Sequence, residues 1–309
     1  MLKVDSLDKR YGQFQAVNNV SFTLEPGQIM GFIGSNGAGK TTTIKMLATL
    51  LEPTSGRAEL NGRVIDSNDL EVRKQIGYMP DFFGLYEDIK VWEYLDMFAT
   101  LYGVPTEERD RVIDEVLELT DLGFKKDAFA QSLSRGMQQR LCLARCLVHN
   151  PSLLLLDEPA SGLDPRARSE LKELIGELGR MGKIVIVSSH ILPELADFST
   201  VVGIIEQGNL LAFGSVKDVV RSMTPAKKVQ VRLLEKGAEA SMWLHGKAHV
   251  SGTEFVNPNE LRFDFTGQPE DQAELLRVLV NEGFPVVEYL DEEANLEDLF
   301  MRVTKGALN

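Results

Sequence analysis

Long apolar runs are missing from this chain of 309 residues. Uninterrupted ones stop where "LLLL" does, at Leu153–Leu156, far short of the roughly 20 residues a bilayer-spanning helix needs. A secretory leader is not expected either, because "MLKVDSLDKRYG" carries charges where such a segment needs its apolar centre. Cysteine is scarce. Cys142 and Cys146 fall on one expected helix with only His149 as a further soft ligand nearby, which is too little for a zinc site and suits two small reduced residues in a cytosolic core. Basic charge is in deficit: 33 Lys and Arg against 46 Asp and Glu leave a net charge of -13. A general nucleic-acid binder needs a basic face, so no nucleic-acid partner is expected. Internal repeats and low-complexity tracts are absent as well.

What remains is a chain with 43% hydrophobic residues, enough for a substantial core and, by length, about two domains. "QIMGFIG" (28–34), "SLLLLDE" (152–158) and "KIVIVSSH" (183–190) are short, nearly continuous apolar runs, the texture of strands buried on both faces of an α/β sheet. Between the last two, Leu171, Leu174, Ile175 and Leu178 recur at helical spacing. Asp164 suits the N-cap of that helix, Pro165 its first turn, and Gly179 or Gly182 its end. From about 88 to 150 no comparable strand occurs, and "IKVWEYLDMFATLYG" and "TEERDRVIDEVLELTDLG" read as helices of an insertion. After "RSMTPAKK" (221–228) the texture changes to "KVQVRLL", "LRFDF" and a helical "QAELLRVLVNEG", a separate small α/β domain.

The strongest signal is "GSNGAGKTT": Gly34, Ser35, Asn36, Gly37, Ala38, Gly39, Lys40, Thr41 and Thr42, with the phosphate-loop spacing and lying between a strand and a helix. The glycines let backbone N–H groups converge on phosphate oxygens, and the helix start adds its positive dipole end. Lys40 would reach the β- and γ-phosphates, and the Thr41 hydroxyl would ligate Mg²⁺. "LLLLDEP" then delivers Asp157 and Glu158 at the carboxyl end of a strand, where ligands sit in open α/β sheets. Asp157 fits a metal-side carboxylate and Glu158 a base that polarises water. His190 ends the next strand and faces the same rim. In "SLSRGMQQR", Met137, Leu141, Ala144 and Val148 follow helical spacing. That puts Ser134 and Gly136 at a second helix start, which reads either as an ordinary serine cap or as a second anion site.

Taken in order, the phosphate loop, "LSRGM", "LLLLDEP", "SGLD" and "SSH" resemble the nucleotide-binding subunit of ATP-binding cassette (ABC) transporters across about 1–220. The resemblance implies a P-loop NTPase of ABC type with a helical subdomain at about 82–150, followed by the small α/β domain at 221–309. It implies that Tyr11 stacks on adenine, that Glu158 is the general base, that His190 contacts the γ-phosphate, and that Asp164 belongs to the loop crossing between subunits. Two such domains face head to tail, so Ser134 and Gly136 would bind the partner's ATP. The implied cofactors are ATP and Mg²⁺. The implied partners are a second copy or a homologous ATPase subunit and a membrane permease, with the chain cytoplasmic and peripheral at the inner face of the membrane. The small domain and "NLEDLFMRVTKG" are similar to C-terminal extensions of exporter subunits, including drug and antibiotic exporters.

Two departures stand out. Arg135 and Met137 replace the Gly and Gln of the family's Leu-Ser-Gly-Gly-Gln, and Asp81 stands in "GYMPDFFGLY" where the family has Gln, so Asp81 becomes a candidate metal-side group. Phe82, Phe83, Tyr86 and Trp92 read either as a socket for a permease helix or as the insertion's own core. A soluble ABC ATPase acting as regulator or scaffold is the alternative function, although the second cassette of translation-type relatives and the coiled coil of repair-type relatives are both absent. A guanine-reading Asn-Lys-x-Asp or Thr-Lys-x-Asp is absent too, which disfavours a GTP switch.

Overall fold

The continuous apolar runs become the centre of a sheet. In the computed structural model, which describes residues 1–292 apart from 83, 85, 87, 192–194, 196, 197 and 224–226, Phe83 and "NLEDLFMRVTKG" lie outside the described residues. Strands β3 (Ile29–Ile33), β7 (Leu153–Leu156) and β8 (Ile184–Ser189) are buried along their whole length. With β6 (Ile76–Met79), β9 (Val201–Glu206) and β10 (Asn209–Ser215) they form a six-stranded sheet in the order β10-β9-β3-β8-β7-β6. All its neighbours pair parallel except the edge strand β10. Burying each of the four leucines of β7 contributes roughly 1.5–3 kcal/mol before chain entropy is subtracted.

Helix α1 (Lys40–Leu47) follows β3, and α6 (Pro165–Arg180) follows β7 and buries Leu171, Leu174, Ile175 and Leu178. A second sheet, in the order β2-β1-β4-β5, is built from β1 (Leu2–Tyr11), β2 (Phe14–Leu24), β4 (Ser55–Leu60) and β5 (Arg63–Val64). Helix α2 (Leu70–Arg73) leads into β6. The insertion holds α3 (Val91–Leu101), α4 (Thr106–Leu119) and α5 (Arg135–Leu147). In α5 the thiol of buried Cys146 donates to the carbonyls of Tyr78 and Cys142. His149 lies just beyond α5, stacked on Tyr102 at 3.7 Å, with Nε2 3.1 Å from the Ile76 carbonyl.

The chain divides into two compact units, Met1–Val216 and Lys217–Asn309. Helix α7 (Val216–Met223) carries the chain across that division, and residue 220 lies within it. The second unit runs β11 (Lys227–Leu233), α8 (Gly237–Leu244), β12 (Val250–Asn257), β13 (Glu260–Phe265), α9 (Pro269–Asn281) and β14 (Val286–Glu292). Its sheet order is β12-β13-β11-β14 with every pairing antiparallel, a split βαβ arrangement. Alternation along β11 and β13 turns Val229, Val231, Leu233, Leu261, Phe263 and Phe265 into the core under the helices.

Candidate functional site

The phosphate loop joins β3 to α1, and two of its glycines have steric reasons to be there. A Cβ at Gly34 would stand 2.3 Å from the Ile205 carbonyl oxygen, and Gly39 has φ of 111° with the Ala16 carbonyl 2.6 Å from its Cβ position. Only glycine lets the chain pass this close to β9 and β2. Lys40 folds back over the loop and donates to the carbonyls of Gly34 at 2.7 Å and Ser35 at 3.1 Å. Burial holds its ammonium below the usual lysine range, opposed by the charges of Glu158, Asp157 and Glu206. Ser35 is gripped in turn by Glu206 at the end of β9, its hydroxyl donating at 2.8 Å.

The end of β7 completes the constellation. Asp157 is fully buried and accepts from the Thr41 hydroxyl at 3.2 Å and from the Ser188 hydroxyl at 2.7 Å. Ser188 also accepts the Glu158 N–H at 2.9 Å, so one hydroxyl from β8 orients both acids. Glu158 itself has φ of 49°, the left-handed region, where a residue with a Cβ costs roughly 1–3 kcal/mol unless its surroundings impose the conformation. Its carboxylate lies 3.6 Å from Lys40 Nζ and 2.9 Å from His190 Nδ1. The imidazole is 46% exposed and the carboxylate 15%, so a largely buried base meets an exposed donor at the rim. With Glu158 ionised, Nδ1–H donates to it.

A divalent cation fits this donor set. Among the described residues no three acidic, histidine or cysteine groups converge tightly enough to hold a metal unaided. Thr41 and Asp157 together offer what Mg²⁺ takes from a protein when nucleotide oxygens and water supply the remaining ligands. Asp81, just past β6, is partly buried, and its carboxyl is pushed above the usual range first by burial, then by the charges of Asp157 and Glu158, with Arg135 and His190 opposing.

Other expected groups lie apart from this cluster. Ser134 caps α5, its hydroxyl accepting the Met137 N–H at 3.4 Å, and with Gly136 and Asp164 it lines a separate cleft of about 370 Å³ that includes Arg135, Arg140 and Arg166. Asp164 caps α6 by accepting from Arg166 and Ala167 N–H. Among the described residues no hydrogen bond joins Ser134 or Gly136 to the phosphate loop. Tyr11 ends β1 half exposed, opposite Phe14 and with Lys9 Nζ 5.4 Å from its ring. Phe82 and Tyr86 are exposed, Tyr86 meeting buried Tyr94 at 6.5 Å. A groove of about 630 Å³, lined by Leu50, Leu70, Phe98, Leu101, Tyr102 and Arg145, opens in the same unit.

Ser188, Glu206 and Gln139 are the residues that motif reading missed. Gln139 is buried and donates to the Pro159 carbonyl at 2.6 Å, and the only advance signal was a polar residue on the apolar side of "MQQR".

Residues 17–161 match the ABC transporter family. The bacitracin transport ATP-binding protein of Bacillus licheniformis is 34% identical over 99% of this chain and 98% of its own. The Nod factor export ATP-binding protein I of Burkholderia orbicola is 34% identical over 97% and 95%, and the linearmycin resistance ATP-binding protein of Bacillus subtilis 30% over 100% and 99%. Among solved structures, an ATP-binding subunit of an ABC transporter is 31% identical with a TM-score of 0.65, covering 72% of this chain and 92% of that one. A dimeric bacterial ABC transporter cassette is 25% identical with a TM-score of 0.63, covering 70% and 99%. A phosphate loop closed over by its own lysine, two acids oriented by one serine, and these full-length likenesses have one explanation: the chain belongs to the ATP-binding subunits of ABC transporters and is an ATPase.

Proposed function

We propose that the chain works as one of two cassettes, a second copy or a homologous subunit, that close head to tail on two ATP molecules and drive a separate membrane permease, in the direction of export. The observation that carries this reading is the separation of two anion-binding helix starts on one chain. Lys40, Thr41, Asp157 and Glu158 form one cluster, while Ser134 and Gly136 open into another cleft, with no hydrogen bond between the two among the described residues. A γ-phosphate held at the first cluster therefore takes its remaining contacts from another subunit's α5.

Within one site, Lys40 leaves the carbonyls of Gly34 and Ser35 for the β- and γ-phosphate oxygens and neutralises charge that builds there in the transition state. Glu158 then accepts a proton from the attacking water, and ADP and inorganic phosphate result. His190 gives up its contact with Glu158 for the γ-phosphate and so reports its presence. The Thr41 hydroxyl and the Asp157 side would hold Mg²⁺, which when bound would supply neutralisation of the phosphate charge. Tyr11 stacks on adenine from the exposed end of β1.

No helix among the described residues is long and apolar enough to cross a membrane. In this reading the permease is a separate protein, and the cassette sits at the inner face through it. The groove beside α3, with exposed Phe82 and Tyr86 on the same insertion, is the docking surface in this reading. The names of the relatives concern bacitracin transport, linearmycin resistance and Nod factor export, which favours an exported cargo. Affinity purification of the tagged chain from membranes tests the partner. Recovery of a polytopic protein whose presence stimulates ATPase activity supports transport, whereas an exclusively soluble set of partners replaces it with a regulator or scaffold.

A further inference from the structure

Glu158, with its left-handed backbone, begins a turn that is also held from α5. Residues 158–164 form a compact turn. Ser161 N–H donates to the Glu158 carbonyl at 3.0 Å and Leu163 N–H to that of Ala160 at 3.2 Å. Glu158 stands at one end of the turn and Asp164, the cap of α6, at the other. Two side chains one turn apart on α5 reach across to it. Gln139 Nε2 donates to the Pro159 carbonyl at 2.6 Å, and Arg135 Nη2 donates to the Ser161 carbonyl at 3.1 Å. The Arg135 guanidinium also lies over Gly162, where a Cβ would stand 2.3 Å from Cζ. Gly162 has φ of 68°, so a side chain there would be strained as well as obstructed. The N-terminus of α5 is in turn close to that of α6, a Cβ on Gly136 coming 3.1 Å from that of Ala167.

We propose that Arg135 and Gln139 are positioning residues for hydrolysis. They tie the turn that begins with this subunit's general base to the helix start that receives the partner's ATP, so that filling one site sets the other. The proposal rests on the paired-cassette reading above. It gives Arg135, which departs from the family signature, a task within its own chain and distinct from any contact with phosphate. A shift of the first turns of α5 is passed to the turn through both hydrogen bonds, because residues at i and i+4 share one face of the helix. The Glu158 carboxylate is then delivered to the water only when α5 is itself engaged. Arg135 can be replaced without a hole in the core, since its side chain lies at the surface.

The test uses the full-length chain, with steady-state ATPase kinetics read against ATP concentration. Arg135→Met should lower kcat about tenfold, leave KM for ATP within about twofold, and bring the Hill coefficient down to about 1. Arg135→Lys, which can still donate to the Ser161 carbonyl, should recover most of the kcat and the cooperativity. A merely structural loss would lower thermal stability without a kcat-against-KM split and without rescue by lysine. In the Glu158→Gln background, Arg135→Met should still form the ATP-dependent dimer. A raised KM with kcat unchanged, or loss of that dimer, makes Arg135 a phosphate contact and overturns the tie. Wild-type kcat and Hill coefficient in Arg135→Met overturn it as well. Failure of the underlying reading looks different: Glu158→Gln forms no dimer with ATP even with the permease present, and the wild-type rate per subunit does not depend on protein concentration.

Discussion

The two units of the chain place their charges in opposite ways. In Met1–Val216, Lys40 and Asp157 lie inside, Glu158 adopts a backbone conformation it would not choose alone, and Asp81 is pushed toward protonation by its neighbours. In the second unit, charged residues on one sheet face stand opposite one another across the strands: Lys228 is in register with Asp264, Arg262 with Glu254, and Arg232 donates to Glu288 at 3.0 Å. Buried charge is costly unless function or close partnership supports it, whereas exposed alternating charge costs little and keeps a sheet soluble. The first unit therefore carries buried and strained acidic and basic groups, whereas the second carries partnered charges on its sheet. The difference also appears in likeness to known proteins. Curated relatives extend over nearly all of the chain, while the solved cassettes cover 70–72% of it.

The largest effect that sharpens this contrast is on hydrolysis. Glu158→Gln should slow phosphate release by roughly 10²- to 10⁴-fold, and Lys40→Ala should abolish it through loss of charge-assisted phosphate contacts. Arg232→Gln in the second unit should leave it within about twofold, because the pair it breaks with Glu288 is exposed and contributes little. A comparable loss from Arg232→Gln would end the division of labour.

Next comes acid sensitivity. Burial lowers the His149 pKa to about 4, first by desolvation, with the Ile76 hydrogen bond opposing. Above the unfolded value of about 6.5 both states hold a neutral ring; below it only the unfolded chain takes the proton. Stability is therefore lost as pH falls from about 6.5 through about 4, on the order of 1–3 kcal/mol in total. His149→Phe, which preserves the stack on Tyr102, should flatten urea unfolding midpoints across that window. An unchanged slope would show that His149 does not titrate with folding.

Asp81 gives a smaller effect of the opposite sign. Its carboxyl is raised in the folded state, so its ionisation opposes folding, and the penalty is complete above the folded pKa and absent below the ordinary Asp value. Asp81→Asn should raise the melting temperature at neutral pH, and the difference should vanish by about pH 3. A gain that persists at that pH would point to packing instead. The smallest effect returns to the open sheet. Arg232→Gln should cost no more than about 1 kcal/mol and less in high salt, as exposed pairs do.

Legibility in the sequence varied within the first unit. The phosphate loop, Asp157, Glu158, the buried strands and the core face of α6 were readable because spacing and apolar period carry them. The sheet holding Tyr11 was not. Register shifts in β1 between Val4 and Leu7, Leu7 and Lys9, and Lys9 and Arg10 break the two-residue alternation that marks a strand. The partners of Arg135 and Gln139 were invisible for another reason: their hydrogen bonds go to backbone carbonyls more than 19 residues away, which leave no mark in the sequence. The sequence admits Ser134 both as a cap and as an anion site, and its hydroxyl accepts the Met137 N–H in this structure.

Whether the Ser134 cleft completes another subunit's site can be read by light scattering on Glu158→Gln, with the permease present if the isolated chain stays monomeric. ATP should produce a dimer and ADP, which lacks the γ-phosphate, much less of one. Adding Ser134→Arg should prevent the dimer while ATP binding by the folded monomer persists. A dimer that forms regardless of Ser134→Arg, or a double variant that folds but no longer binds ATP, would contradict the two-subunit site.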